Sequence, residues 1–315
     1  MYFILEWEVG WAHKSSLDRL LIPLNTRESF EANLVVSTFY DAIHFEESGE
    51  ICTMITAGID SGAKNTKTVV LKDGRVIGKG KVLTGFDPET AAEASLDQAL
   101  QDGNVSLESL DGVAGTGAGK DRLHLATLKV EDIQAIGKGA SFLFPGVRTV
   151  MDVGAEEGRV AKLDKSGNLE DFAVNEKCAA GAGTFIETMS RALDIPLEEL
   201  GSLALTSDRK IPMNAQCAVF AESEVVGLIH AGTEKKDISR AIHDAMGQRI
   251  VTMVRQVGVN EDVVMIGGVA FNPGIVEVLK RELGLTTIYI PEEPEFTAAL
   301  GAAASIANDA ALGDR

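Results

Sequence analysis

Apolar and polar residues alternate in two stretches of this chain in the manner of β-strands joined by tight turns. In 55–80, ITAGIDSGAKNTKTVVLKDGRVIGKG, the pattern predicts a strand, a glycine turn, a second strand, a hairpin turn at Asp73-Gly74 and a third strand. The same layout returns in 149–175, TVMDVGAEEGRVAKLDKSGNLEDFAVN, with a turn at Ser166-Gly167. The chain therefore contains a diverged internal duplication.

Segments with helical periodicity follow each strand unit. They are 89–100 and 130–144 after the first unit, and two cysteine-headed segments and 237–257 after the second. Because strands followed by helices occur twice, we expect an α/β fold of two duplicated lobes with a cleft between them. The predicted boundaries are 54–147 for lobe I, 148–295 for lobe II and 296–315 for a C-terminal helix.

Residues 1–53 precede the first strand unit and contain no recognisable motif, although they hold both tryptophans. Glu6 and Glu8 interrupt the apolar N-terminal stretch, and no basic residues lead it, so we predict neither a signal peptide nor a transmembrane span. We interpret 1–53 as an over-extended start or a loosely attached extension rather than a small domain.

The composition of the 315 residues, 45% hydrophobic and 24% charged, is typical of a soluble globular protein. A formal net charge of -18 argues against nucleic acid and anionic membrane as partners, because both are themselves negative. Three cysteines without a CxxC pair do not make a disulfide framework. We therefore expect a reducing, cytoplasmic location.

The first strand of each unit ends in an Asp-x-Gly triplet, which runs from Asp60 to Gly62 in the first unit and from Asp152 to Gly154 in the second. Each triplet brings a carboxylate together with bare backbone N–H groups, which suits a hydrated Mg²⁺ ion and phosphate oxygens. A single triplet is usually an ordinary turn. Two of them in duplicated contexts favour a nucleotide site.

Two further glycine-rich elements follow apparent strands. In 263–272, VVMIGGVAFN, a glycine pair at Gly267 and Gly268 ends a strand, where missing side chains let a nucleotide approach the backbone. The segment 114–121, AGTGAGKD, looks like a P-loop but fails the motif at Ala114 and at Asp121. We interpret it as a glycine-rich turn after a strand, near the cleft.

Cys178 and Cys217 each lie at the start of an apparent helix, in the small-residue-rich segments 175–189 and 213–228. The positive end of a helix favours a thiolate. A four-iron cluster needs four thiolates, and this chain offers two well-placed ones, so another chain would supply the rest. The alternative is that both cysteines are small buried apolar residues. Cys52 precedes the fold and is interpreted as a bystander.

The two Asp-x-Gly turns and the glycine pair, in this order, resemble the ATPase superfamily that includes actin, Hsp70 and the sugar kinases. Two phosphate loops and an adenosine loop surround an interlobe cleft in that superfamily. With both cysteine segments added, 55–304 is similar to the BadF/BadG/BcrA/BcrD ATPase family, which contains activators of 2-hydroxyacyl-CoA dehydratases and ATPase subunits of benzoyl-CoA reductase. In that family one [4Fe–4S] cluster bridges two protomers, with two cysteines from each.

Chemistry and this resemblance together imply roles for individual residues. Asp60 and Asp152 would hold Mg²⁺ through water, and Asp152 or Glu156 would polarise the hydrolytic water, unless Glu156 is a solvated turn residue. Lys67 would reach phosphate oxygens, unless it is an exposed strand lysine. Cys178 and Cys217 would ligate the cluster. The residues expected against ATP are Gly62, Ala63, Gly154 and Ala155 at its phosphates and Gly267, Gly268 and Val269 at its adenosine.

The second phosphate loop departs from the Gly-Gly-Gln-Asp run of the activators, because 154–157 reads Gly-Ala-Glu-Glu, and the Gly-Ala pair favours a reductase subunit. We therefore expect an ATPase that passes electrons from ferredoxin through the shared cluster to an acyl-CoA-reducing partner, benzoyl-CoA reductase. It would pair with a homologous ATPase subunit in a hetero- or homodimer. The first alternative is a homodimeric activator of a 2-hydroxyacyl-CoA dehydratase. A small-molecule kinase and a non-catalytic nucleotide sensor are alternatives of other classes.

Overall fold

The structure is a computed structural model that describes residues 53–175, 183–213 and 218–313. Residues 1–52 of the predicted extension lie outside these ranges. The strands within them are β1 Ile55–Ser61, β2 Asn65–Lys72, β3 Arg75–Leu83, β4 Gly112–Thr116, β5 Leu128–Lys129, β6 Thr149–Val153, β7 Gly158–Leu163, β8 Leu169–Asn175 and β9 Val263–Ile266. The α-helices are α1 Pro88–Gly103, α2 Asp132–Leu143, α3 Gly183–Leu193, α4 Leu197–Leu205, α5 Ala218–His230, α6 Lys235–Val257, α7 Pro273–Leu283 and α8 Thr297–Gly313.

Two sheets of the same connectivity form the core of the fold. The first has the order β3-β2-β1-β4-β5 and the second β8-β7-β6-β9. In both, the strand that carries the Asp-x-Gly triplet pairs antiparallel with the next strand and parallel with a later one. The predicted α/β fold with an internal duplication is confirmed.

The hairpin turns lie where the sequence predicts them. Asp73 and Gly74 have φ angles of 48° and 71°, and positive φ at both central residues is the turn geometry that matches the twist of the flanking strands. Asp73 also accepts a hydrogen bond from the backbone N–H of Met54, which ties the turn to the start of β1. The second turn contains Gly167, with φ 79°.

Helices cover both faces of each sheet. In the first sheet, Ile59 packs against Leu96 of α1 on the outer face. Gly58 faces the opposite way, where a Cβ would lie 2.0 Å from the carbonyl oxygen of Ala299 in α8. In the second sheet, Val150 packs against α2, and the residues of the outer face join a large apolar cluster with α3, α6 and α7.

The inner helices α2 and α8 cross between the two sheets. A Cβ on Gly139 of α2 would lie 2.0 Å from the carbonyl oxygen of Thr297, and one on Gly301 of α8 would lie 1.8 Å from that of Ala135. The backbones therefore approach too closely for any other residue. Side chains two residues apart lie on the same face of a strand. Asp60 therefore lies on the inner face of the first sheet, as Gly58 does, and Asp152 lies on the inner face of the second sheet, as Val150 does.

Candidate functional site

A cavity of about 540 Å³ lies between the inner faces of the two sheets. Its size is in the range of small-molecule sites. It is lined by every residue outside the cysteine segments that the sequence analysis assigned to the site: Asp60, Gly62, Ala63, Lys67, Asp152, Gly154, Ala155, Glu156, Gly267, Gly268 and Val269. The structure thus brings residues from three separate parts of the chain to one cleft.

The end of β1 forms the first corner of the cleft. Lys67 lies directly opposite Asp60 in the β1–β2 register, and its Nζ is 2.8 Å from Asp60 Oδ2. The Lys67 side chain is only 14% exposed, so the interpretation as an exposed strand lysine is wrong. Burial works to lower the pKa of Lys67, but the charge and hydrogen bond of Asp60 outweigh it and raise the pKa overall.

The end of β6 forms the second corner with the same construction. Arg159 lies directly opposite Asp152 in the β6–β7 register, and its Nη1 is 3.1 Å from Asp152 Oδ2. Burial raises the pKa of Asp152, and the charge of Arg159 opposes that rise only in part. The negative charge of Asp60 raises it further, so the two aspartates interact across the cleft.

A glycine of positive φ stands beside each aspartate. Gly117 follows β4 with φ 89°, and Gly267 follows β9 with φ 81°. A Cβ on Gly117 would lie 2.5 Å from Asp60 Oδ1, and one on Gly267 would lie 2.6 Å from Asp152 Oδ1. Each corner therefore consists of an aspartate, a cation seven residues later and a glycine after the parallel neighbour strand.

Arg159 and Asp132 were not assigned to the site from the sequence. Arg159 donates to Glu157 and, over 2.8 Å, to Asp132 Oδ2 in addition to Asp152. Burial alone would lower the pKa of Arg159, but the charges of these three carboxylates raise it. The duplication carries a signal for Arg159, because it follows Asp152 at the distance at which Lys67 follows Asp60.

The turn after the second aspartate presents two glutamates of different surroundings. Glu156 lines the cleft but its side chain is exposed. Glu157 is half-buried and held by Arg159. The backbone N–H of Gly154 donates to the carbonyl of Glu157 over 2.9 Å, which closes the turn.

The glycine pair after β9 opens onto the cleft. A Cβ on Gly268 would meet nothing within 4 Å, so this backbone is accessible to a ligand. The segment ends at Asn272, whose Oδ1 caps α7 by accepting from the N–H groups of Gly274 and Ile275. The buried ring of His243 lies 3.1 Å from the same oxygen, and burial lowers the pKa of His243. Hydrogen bonds of Asn272 therefore fix the end of this segment, while its backbone at Gly268 stays accessible from the cleft.

Helix α3 begins directly on the second aspartate turn. The backbone N–H of Gly183 donates to the Gly154 carbonyl, and both the N–H and the hydroxyl of Thr184 donate to the Ala155 carbonyl, over 2.6 to 2.8 Å. Cys178 and Cys217 lie outside the described residues. Helix α5 follows Cys217 and exposes four large apolar side chains: Val219, Phe220, Val226 and Ile229.

Two duplicated lobes with a cleft between them are the arrangement that the resemblance to the ATPases including actin, Hsp70 and the sugar kinases implied. The profile of the BadF/BadG/BcrA/BcrD ATPase family matches residues 57–305. The chain belongs to this family, as the resemblance implied. Within the described ranges, no helix is both long and apolar enough to cross a lipid bilayer.

Proteins similar to this chain include members of two functional groups. The chain is 34% identical over 250 residues to the 2-hydroxyisocaproyl-CoA dehydratase activator of Clostridioides difficile, covering 79% of this chain and 94% of the relative. It is 30% identical over 260 residues to a benzoyl-CoA reductase subunit of Thauera aromatica, covering 79% and 92%. The solved structure of the Clostridium difficile activator with bound ADPNP has a TM-score of 0.77 at 33% identity, covering 83% of this chain and 97% of that one.

Proposed function

We propose that this chain is an ATP-hydrolysing activator that delivers electrons to a 2-hydroxyacyl-CoA dehydratase. The observation that carries the proposal is the similarity to a dehydratase activator along nearly its whole length, together with the ATP-family cleft. This is the alternative of the sequence analysis rather than its main prediction. A benzoyl-CoA reductase subunit is the second candidate, supported by the relative at 30% identity and by the Gly154-Ala155 pair.

In this proposal ATP lies in the cleft with its phosphates at the two aspartate corners and its nucleoside against Gly267, Gly268 and Val269. Among the described residues that line the cleft, acidic side chains outnumber basic ones: the acidic side chains are Asp60, Asp132, Asp152, Glu156, Glu157, Glu187, Glu198 and Glu295, and the basic ones are Lys64, Lys67, Lys81 and Arg159. A triphosphate would be repelled by this excess of negative charge unless Mg²⁺ accompanied it.

The donor set fits magnesium. Among the described residues, no group of three or more His, Cys, Asp or Glu side chains is arranged to hold a metal ion. Mg²⁺ usually keeps several waters and uses one or two carboxylates with substrate phosphates. Asp60 and Asp152, which face each other across the cleft, are the carboxylates that would hold its waters.

Hydrolysis would use Asp152 to orient the attacking water. Asp152 is buried and lines the cleft, where its carboxylate would accept a hydrogen bond from that water. The water oxygen bonds to the γ-phosphorus, the bond to the bridging oxygen of ADP breaks, and the water proton leaves with the phosphate product. Lys67 would stabilise the charge on the phosphate oxygens. Glu156 is the second candidate for orienting the water.

Cys178 and Cys217 would hold a [4Fe–4S] cluster together with two cysteines of a second ATPase subunit. Held there, the cluster would supply a one-electron carrier between ferredoxin and the catalytic partner. The hydrogen bonds from Gly183 and Thr184 to the second aspartate turn join that turn to the helix that follows Cys178. A change of the turn on hydrolysis would therefore reach the cysteine segment. We also propose a cytoplasmic location, where thiols stay reduced.

The test uses anaerobically purified full-length protein. We expect the broad visible absorption of an iron–sulfur cluster, and ATP hydrolysis that requires Mg²⁺. Reduced protein is then mixed with ATP and either a 2-hydroxyacyl-CoA dehydratase or the catalytic subunits of benzoyl-CoA reductase. Activation of the dehydratase alone supports the proposal, activation of the reductase alone supports the second candidate, and iron-free protein that phosphorylates a small molecule would overturn both.

A further inference from the structure

Asp132, the first residue of α2, lines the cleft and accepts hydrogen bonds from groups of both sheets. Its Oδ1 accepts from the Gly117 backbone N–H over 2.9 Å and from the Thr116 hydroxyl over 3.3 Å, at the end of β4 in the first sheet. Its Oδ2 accepts from Arg159 Nη2 over 2.8 Å, on β7 in the second sheet. One carboxylate is thus shared between the two halves of the cleft.

Arg159 forms the second half of this connection. Its guanidinium contacts Asp132, Asp152 and Glu157 together, and its side chain is only 14% exposed. A guanidinium has five N–H donors in a rigid fork and reaches several carboxylates at once, whereas an ammonium is a point charge. At the equivalent position of the first sheet, Lys67 forms an ion pair with the aspartate of its own corner. The cation of the second corner therefore contacts carboxylates beyond its own aspartate, whereas the ion pair of Lys67 stays within the first corner.

The four groups form a continuous path across the cleft. It runs from Asp152 to Arg159, from Arg159 to Asp132, and from Asp132 to the backbone of Gly117. Gly117 is packed against Asp60 so closely that no Cβ fits between them. The path therefore connects the aspartate corner of the second sheet with that of the first.

We propose that Arg159 is a positioning residue that, through Asp132, fixes the distance between the two aspartate corners. Displacement of Asp152 by a ligand is then passed to the Gly117 turn, because the intervening hydrogen bonds are charge-assisted and partly buried. When the corner of the second sheet moves, the corner of the first sheet moves with it. The two corners therefore keep the one relative position that suits the bound phosphates. The kinetic consequence of this role rests on the proposed function, but the structural connection does not.

Hydrogen exchange of the full-length chain without nucleotide tests the connection. Arg159→Lys retains a positive charge for Asp152 but loses the fork, and we expect amide exchange in 112–118 to become about 10-fold faster, although Arg159 belongs to the other sheet. Asp132→Asn should speed exchange of the same segment. The thermal midpoint of each variant confirms that it is folded.

Arg148→Lys is the matched control. Arg148 immediately precedes β6, at the opposite end of that strand from Asp152, and bonds the Leu163 carbonyl and Glu170. This substitution should leave exchange in 112–118 unchanged. If folded Arg159→Lys protein exchanges 112–118 at the wild-type rate, the proposal is overturned.

ATP hydrolysis supplies a second readout. Because Lys at position 159 still pairs with Asp152, the KM for ATP should change by less than about 3-fold, while kcat falls about 10- to 100-fold through loss of alignment. The double variant Arg159→Lys/Asp132→Asn should have a kcat no lower than that of the slower single variant, since both substitutions break the same path. A raised KM with unchanged kcat would contradict the proposal. Wild-type protein that hydrolyses no ATP would refute the proposed function, and the exchange experiment would still decide the role of Arg159.

Discussion

Replacing Gly117 or Gly267 by alanine tests whether the two corners of the cleft are built alike. The φ angles, 89° and 81°, are both left-handed. The added Cβ would lie 2.5 Å from Asp60 Oδ1 in the first case and 2.6 Å from Asp152 Oδ1 in the second. Carbon and oxygen do not approach so closely, so either the aspartate or the turn must move.

The expected cost has two parts. A left-handed backbone costs an alanine about 1–2 kcal/mol. Forcing an additional carbon into a filled site costs about 1–3 kcal/mol more. Each substitution should therefore lower the free energy of unfolding by about 2–5 kcal/mol, which corresponds to a fall of roughly 3–9 °C in thermal midpoint for a chain of this size.

Gly74→Ala separates the two parts. Gly74 has φ 71°, but a Cβ there would meet nothing within 4 Å, so this variant carries the backbone strain alone, about 1–2 kcal/mol. Thermal unfolding is measured with and without MgATP, since a bound ligand raises the midpoint. We expect Gly74→Ala to keep that rise, and Gly117→Ala and Gly267→Ala to lose it. If the cleft variants cost no more than Gly74→Ala, the reasoning about the corners is refuted.

Three further outcomes are expected. Asp152→Asn should bind ATP but turn it over about 100- to 1000-fold more slowly, by analogy with loss of a preorganised catalytic group; a near-normal steady-state rate would remove Asp152 from the mechanism. Cys178→Ser and Cys217→Ser should each abolish the iron content of anaerobically purified protein whereas Cys52→Ser should not, and full iron in either of the first two would exclude them as ligands. Because burial lowers the pKa of His243, the unfolded chain takes up a proton that the folded chain resists, so stability should fall as the pH drops below about 6.5 and His243→Gln should flatten that slope in urea unfolding.

The strand units and their turns could be predicted because their patterns are local. The Asp73-Gly74 pair identifies a hairpin within a few residues of sequence. The glycines of the cleft at Gly62, Gly154 and Gly267 could be recognised because each directly follows a predicted strand. Lys67 had two interpretations from its sequence, and its burial beside Asp60 excludes the exposed strand lysine, while its contact with phosphate stays a prediction. Arg159 could have been found from its spacing to Asp152, had the two repeats been compared residue by residue.

Asp132 could not have been found in this way. Its partners Gly117 and Arg159 lie 15 and 27 residues away and belong to different sheets. Nothing in the sequence around an acidic residue at the start of a helix distinguishes this one, because such residues favour the first turn of any helix. Helices α4 and α7 were also not predicted, and the cysteine ligands stay a prediction. The choice between activator and reductase rested on a loop of four residues, which is too short to separate two groups of one family.

The position of α8 has a consequence for the order in which the chain acquires its structure during synthesis. The inner face of the first sheet, including Val69 and Leu71, is covered by residues of α8, and the Thr56 hydroxyl donates to the carbonyl of Ala303, 247 positions later. Strands β1 to β3 leave the ribosome early but stay uncovered on that side until α8 emerges. The second sheet has its own helices and is complete earlier. The part of the protein that is made first is therefore finished last, and chaperones would meet its bare apolar face throughout translation.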